Sequence, residues 1–269
     1  VTGVLAQTTP AVLAKSGPIR IMALGDSITA GVGANGSGAD FGGYRGALGA
    51  LLAQGGYRAV FVGSRSDYSA RILNRAHEGW PGYVLRSFPA DPGPGQLYGT
   101  LIHDALHRNA PDVVLLMAGT NDLLRLEKHV PGYTLANIVQ SMNMVIEQIV
   151  TEKPHVFVIV APVVLSPRVD TCTLRDFDGD DPCTGTAGGG VRALVDGFAQ
   201  RGFHVVFAPA MANAVPRDHD HFPDGIHPSG DDGYVAIANI WYSAIERLTQ
   251  PAQSDVATDG DASALNKAR

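Results

Sequence analysis

The 269-residue chain reads as an α/β protein built on a central parallel five-stranded sheet with helices on both faces. Three observations predict this. Short apolar runs rich in Val, Ile and Leu alternate with longer segments of helical periodicity. The runs are continuously apolar rather than alternating, as strands buried on both faces require. Turn residues, chiefly Gly, Pro and Asp, punctuate the junctions.

The elements follow in order. Ile19–Leu24 is the first strand and stops at Gly25. Tyr44–Gln54 carries apolar residues at helical spacing and ends at Gly55-Gly56, a helix-stop pattern. Ala59–Val62 is a short second strand, and Leu97–Arg108 a helix. Asp112–Met117, following Pro111, is a buried strand. Thr134–Thr151 is a long helix whose Met142 and Met144 read as packing residues. Val156–Val160 is the fourth strand, Val191–Arg201 a helix and His204–Ala208 the fifth strand. Ser229 is expected to cap a last helix running to about Leu248, with Asp231 and Asp232 in its first turn. The segments 63–96 and 161–190 read as long loops, the kind that build sites in compact domains. With no internal repeat or linker, one domain over residues 18–249 is expected. Residues 1–17 and 250–269 are expected to be flexible terminal segments.

The net charge of −6, without a basic cluster, argues against nucleic acid and against an anionic membrane surface as partners. No apolar run approaches membrane-span length. Two cysteines, Cys172 and Cys183, lie close together in a stretch rich in Asp and Thr. They read either as free thiols or, the favoured reading, as a disulfide. Closing so short a ring stabilises by roughly 2–3 kcal/mol in the chain-entropy picture. The chain starts at Val1 and has no signal segment, so any such segment is expected to have been removed. That start, the cysteine pair and the acidic charge together suggest a secreted protein.

Ligands of open α/β sheets bind beyond the carboxyl ends of the strands. Gly25-Asp26-Ser27 follows the first strand, and His77-Glu78-Gly79-Trp80-Pro81-Gly82 lies in the loop after the second. Gly119-Thr120-Asn121-Asp122 follows Met117, and Asp224-Gly225-Ile226-His227-Pro228 precedes the last helix. A hydroxyl nucleophile needs a base to take its proton, commonly an imidazole held by a carboxylate. Asp224 and His227, three residues apart in a tight turn, could supply both to Ser27. The oxyanion of an acyl-transfer intermediate needs donors. The Ser27 N–H, the Gly79 N–H and the Asn121 amide are the candidates. Taken alone, each has a plainer role: a serine after a strand is usually a helix cap, and Gly-Thr-Asn-Asp an ordinary turn. Their combination at successive strand ends is what points to catalysis.

These four segments resemble the four blocks of the SGNH hydrolases, the GDSL esterase and lipase superfamily, over Gly25 to Pro228. The resemblance implies a flavodoxin-like three-layer α/β/α sandwich. It also implies a triad of Ser27, Asp224 and His227, and an oxyanion hole of Ser27, Gly79 and Asn121. The nucleophile block is not a Gly-x-Ser-x-Gly elbow, since residue 29 is Thr. Further segments are similar to carbohydrate esterase family 3, which includes acetyl xylan esterases: Ile19-Arg20-Ile21-Met22, Gly42-Gly43-Tyr44-Arg45, Phe61-Val62-Gly63-Ser64 and His77-Glu78-Gly79 with Pro81-Gly82. The Cys172–Cys183 loop has no match in that pattern. The implied activity is a serine esterase releasing acetyl groups from a polysaccharide or small ester, with no cofactor. Rival readings are a lipase, thioesterase or general carboxylesterase with the same triad, an acyltransferase, or a non-catalytic carbohydrate-binding relative.

Asp26, Trp80 and Tyr83 are the expected substrate-facing residues. Trp80 and Tyr83 read either as packing or as a sugar-stacking wall. Asp218-His219-Asp220-His221 looks like metal chemistry but lacks a distant partner, so it reads as a solvated loop. Asp176, Asp178, Asp180 and Asp181 could hold calcium, though their spacing is not an EF-hand. His77, His103, His107, His129, His155 and His204 read singly as surface or core residues.

Overall fold

A computed structural model describes Leu13 and residues 17–33, 41–91, 93, 95–179, 183 and 189–249. Both expected terminal segments, apart from Leu13 and Gly17, lie outside the described residues. So do Asp180, Asp181 and the side chain of Asp231.

The strands are β1 (Pro18–Gly25), β2 (Arg58–Val62), β3 (Glu78–Gly79), β4 (Val113–Met117), β5 (Phe157–Val160) and β6 (Val205–Phe207). All are parallel, in the order β2-β1-β4-β5-β6, with β3 paired to the end of β1. The five expected strands are therefore present, and a two-residue strand joins them inside the segment read as loop. The helices are α1 (Ser27–Ala30), α2 (Tyr44–Gln54), α3 (Thr100–Asn109), α4 (Thr120–Glu127), α5 (Leu135–Glu152), α6 (Thr171–Asp178), α7 (Val191–Gln200) and α8 (Gly230–Leu248).

Strand side chains alternate between faces, and this splits the core in two. Met22, Leu24, Val114, Leu116, Val158 and Val160 face α3, α5, α6 and α7. Ile21, Ala23, Val113, Leu115 and Ile159 face α2 and α8, where Trp241 is fully buried. On α5, Ile138, Met142, Val145, Ile146 and Ile149 form the stripe that helical periodicity demands, and Thr134 caps it. Among the described residues, no helix is long and apolar enough to cross a membrane.

Two helices, α4 and α6, were not foreseen, and the helix expected after Ser27, α1, is a single turn. α4 begins within Gly-Thr-Asn-Asp, whose polar start resembles a turn, yet Leu123 buries into the core. α6 lies inside the expected loop 161–190. The Asp170 carboxylate caps it, Leu174 and Phe177 bury its apolar face, and Cys172 on it is joined to Cys183. Ser229 does precede α8, but its hydroxyl donates to the carbonyl of Asp220 at 2.6 Å instead of capping the helix.

The loop beyond β1 is held by one buried cation. Gly31 ends α1 in the left-handed conformation, and a Cβ there would lie 2.4 Å from the backbone N of Gly43. That close approach brings Arg45, in the first turn of α2, beneath α1. Its guanidinium donates to the carbonyls of Thr29 (3.2 Å), Ala30 (2.8 Å) and Arg75 (2.8 Å) and to the Ser69 hydroxyl (3.0 Å). Burial lowers its pKa to about 10, so it stays charged at neutral pH.

His77 holds β3. Its backbone exchanges hydrogen bonds with Arg65, and its ring is fully buried. Nδ1 accepts the Gly79 N–H at 3.0 Å, and Nε2 lies 3.2 Å from the carbonyl of Asp67. Burial, helped by the Arg45 charge and opposed by Asp67, lowers the imidazole pKa to about 4.

Two outcomes are expected. Arg45→Met leaves the Thr29 and Ala30 carbonyls without their donor, and urea unfolding should show a loss of roughly 3 kcal/mol or more. A loss below about 1 kcal/mol would remove the clamp role. The unfolded chain takes up a proton on His77 near its ordinary pKa of about 6.5, whereas the folded chain resists it down to about 4. Stability should therefore fall as pH drops through that window. Urea midpoints for His77→Gln should fall less steeply there; parallel slopes would contradict the assignment.

Candidate active site

The turn after β1 assigns its polar residues separate tasks. Asp26 takes the cap: Oδ1 accepts the Ile28 N–H at 3.0 Å. Ser27 becomes the first helical residue, and its hydroxyl is left for another partner. Asp26 is only 2% exposed, and burial raises its carboxyl above the ordinary carboxylate value. The expected substrate contact at Asp26 is thus replaced by a capping role, because the carboxylate is enclosed beneath the turn.

Ser27 Oγ lies 2.8 Å from His227 Nε2, across 200 residues of sequence. His227 Nδ1 lies 2.7 Å from Asp224 Oδ2. Asp224 Oδ1 also accepts the N–H groups of Ile226 and His227, each at 2.8 Å. Burial raises the Asp224 carboxyl, but the His227 N–H, the His227 ring and the Ile226 N–H outweigh it and hold the group below the ordinary carboxylate value. An anion facing Nδ1 keeps the ring proton there, which leaves Nε2 to accept a proton from Ser27.

The turn carrying Asp224 and His227 is seated from outside. The Gly225 carbonyl accepts the Ser166 hydroxyl at 2.5 Å and the Arg168 N–H at 3.2 Å. Ser166 is buried, and the Arg217 side chain donates to its carbonyl at 3.3 Å. Sequence reasoning did not single out Ser166, Arg168 or Arg217. Ser166 and Arg168 lie in the expected loop 161–190, and Arg217 lies between β6 and α8.

The expected oxyanion donors are placed unequally. Asn121 stands in the first turn of α4, beyond β4, whose Met117 pairs with Gly25. One hydrogen of its amide goes to the Tyr83 carbonyl at 2.9 Å, which orients the group. Gly79 sits against α1 so tightly that a Cβ would lie 2.3 Å from the Ala30 N. Its N–H, however, is already donated to His77 Nδ1. Gly79 therefore permits close packing of β3 on α1, and its N–H, expected at the oxyanion, is held by the imidazole.

Trp80 and Tyr83 are half-buried and pack against the core. Their rings lie 5.1 Å apart, the Trp80 Nε1–H donates to Glu78 Oε2 at 3.0 Å, and the Arg65 guanidinium lies 4.5 Å from the Trp80 ring centre. Trp80 lines a pocket with Leu101, Asp104, Ala105 and Arg108, and so faces α3. Tyr83 reaches the site through its backbone carbonyl. Glu78, which sequence reasoning passed over, is buried and also accepts the Ser64 N–H and hydroxyl. Its carboxyl is raised by burial.

In the two metal-like segments, some carboxylates have local partners, while Asp180 and Asp181 lie outside the described residues. Asp218 accepts the His221 N–H at 2.9 Å and faces the His221 ring at 2.6 Å. Asp176 accepts the Cys183 N–H at 2.7 Å, and Asp178 is buried at the end of α6.

Residues 23–234 match the GDSL-like lipase/acylhydrolase family. The chain is 26% identical over 283 residues to a multidomain esterase of Ruminococcus flavefaciens, covering 93% of this chain and 33% of that protein. It thus spans a third of that relative's length. Among solved structures, a Clostridium thermocellum family 3 carbohydrate esterase matches with a TM-score of 0.65 at 29% identity, over 87% of this chain and 100% of that one. A carbohydrate esterase of the same family from Talaromyces cellulolyticus shares the fold, with a TM-score of 0.59 at 22% identity over 86% and 98%. Matched over most of its length, the chain belongs to the GDSL-like lipase/acylhydrolase family.

Proposed function

We propose that this esterase removes short acyl groups, acetyl above all, from a carbohydrate such as acetylated xylan, through an acyl-enzyme on Ser27. The observation that carries this reading is the relay Ser27–His227–Asp224, with contacts of 2.8 and 2.7 Å. Such spacing lets a proton leave a hydroxyl as it attacks a carbonyl. His227 Nε2 takes the proton from Ser27 Oγ while Oγ bonds to the acyl carbon. The resulting oxyanion is met by the Ser27 N–H and the remaining amide hydrogen of Asn121. Gly79 joins them only when its bond to His77 opens. The Asp224 carboxylate stabilises the imidazolium, which then protonates the departing sugar alcohol. Water, deprotonated by the same nitrogen, releases the acid and restores Ser27.

Two findings support a carbohydrate ester over other esters. One is the 29% identity with a family 3 carbohydrate esterase over its whole length. The other is the presence here of the wider segments around Arg45 and His77 that resemble that family. The Cys172–Cys183 bond fits an oxidising compartment, which supports a secreted protein.

Acetate release from acetylated xylan should be abolished in Ser27→Ala while the melting temperature is retained. On a chain-length series of nitrophenyl esters the wild type should prefer acetyl; a preference for long chains would sink the acetyl reading. Asn121→Ala should lower kcat by about 10²–10³-fold, the usual cost of one oxyanion donor. A loss below tenfold would remove Asn121 from the hole.

A further inference from the structure

A second cluster of chemistry-bearing side chains lies away from Ser27. His103 and His107 are one helical turn apart on α3, so their rings project from the same face, with centres 4.4 Å apart. Both are exposed. Glu152, at the last residue of α5, meets them: its Oε2 lies 3.0 Å from His103 Nδ1 and 3.3 Å from His107 Nε2. One ligand atom from each residue lies within 4.8 Å of the other two. Among the described residues no other trio of His, Cys, Asp or Glu meets that condition.

The spacing fits an ion. Nitrogen and oxygen ligands sit about 2.0–2.2 Å from zinc, so ligands of one tetrahedral ion are roughly 3.3 Å apart. Two imidazoles and a carboxylate are the donor set of a borderline divalent cation, not of calcium or magnesium. The carboxylate is also aimed. Glu152 Oε1 accepts the Gln148 side-chain N–H at 2.8 Å, which leaves Oε2 for the imidazoles. Gln148 is itself held by a two-way bond to the Gly99 backbone, accepting its N–H and donating to its carbonyl, each at 2.9 Å. Gly99 precedes α3, so the residue that orients Glu152 is fixed to the helix bearing both histidines. Outer partners of this kind orient the ligands in metal sites.

We propose that His103, His107 and Glu152 bind a zinc ion that clamps α3 to the end of α5, with water in the fourth position. The clamp is structural. α3 and α5 end where the chain enters β4 and β5, at the amino ends of the strands, whereas Ser27 follows the carboxyl end of β1. An ion there is bound by the folded chain in preference to the unfolded one, and so raises the melting temperature.

The test is calorimetric titration of zinc chloride into chelator-treated full chain, with melting curves at each zinc concentration. The wild type should bind one equivalent at this site, and its melting temperature should rise with zinc. His103→Gln/His107→Gln should lose that equivalent and the rise, while turning over a small ester at the wild-type rate, which shows that it is folded. Gln148→Ala keeps all three ligands and should weaken binding about 10–100-fold. Equal binding and equal thermal shifts in wild type and double variant would overturn the proposal. So would a wild type that binds no zinc.

Discussion

The site depends on a four-residue turn that cannot hold itself. α1 is too short for a helix to be stable alone, since one turn fixes many dihedral angles for few hydrogen bonds. Its last carbonyls would be buried without donors. The Arg45 guanidinium supplies them, and a third and fourth donation to Arg75 and Ser69 ties the turn to the loop that becomes β3. A planar group with five donors suits this task, where a lysine offers a point charge. The same cation helps to keep the His77 ring neutral, and neutrality lets Nδ1 accept the Gly79 N–H. One buried charge therefore sets both the turn carrying Ser27 and the strand beside it.

A second constraint acts from the other end of the chain. Asp224 and His227 occupy a turn rather than a regular element, so their geometry needs external support. Ser166 and Arg168 hold the Gly225 carbonyl, and Arg217 holds Ser166. The loop after β5 is thus part of the machinery, through hydrogen bonds to backbone. The two halves meet at the contact between Ser27 and His227 and again where the Tyr234 hydroxyl donates to the Val32 carbonyl at 2.6 Å.

Polar residues near the site share out work that sequence chemistry leaves ambiguous. Asp26 and Ser27 are both good helix caps. The cap falls to Asp26, because Oδ1 reaches the Ile28 N–H while Ser27 lies one position inside the helix. Tyr83 contributes a carbonyl, not its ring, to the orientation of Asn121. Glu78 gathers Ser64 and Trp80 around itself, which turns the indole toward α3.

The sequence by itself determined the layers and the order of the chemistry. Continuous apolar runs such as Val113–Met117 can only be buried on both faces, and the 3.6-residue stripe of α5 can only lie against them. Ser27, Asn121, Asp224 and His227 were legible because each stands where a strand ends or the last helix begins. The short elements α4, α6 and β3 were not, since they owe their form to contacts with distant residues rather than to local pattern. Tertiary structure alone decided that Gly79 donates to His77, that Arg45 donates to four oxygen acceptors, and that two surface histidines share Glu152. Local periodicity records which face of an element is buried. It carries no record of which remote donor meets which acceptor, and that pairing is what makes the site.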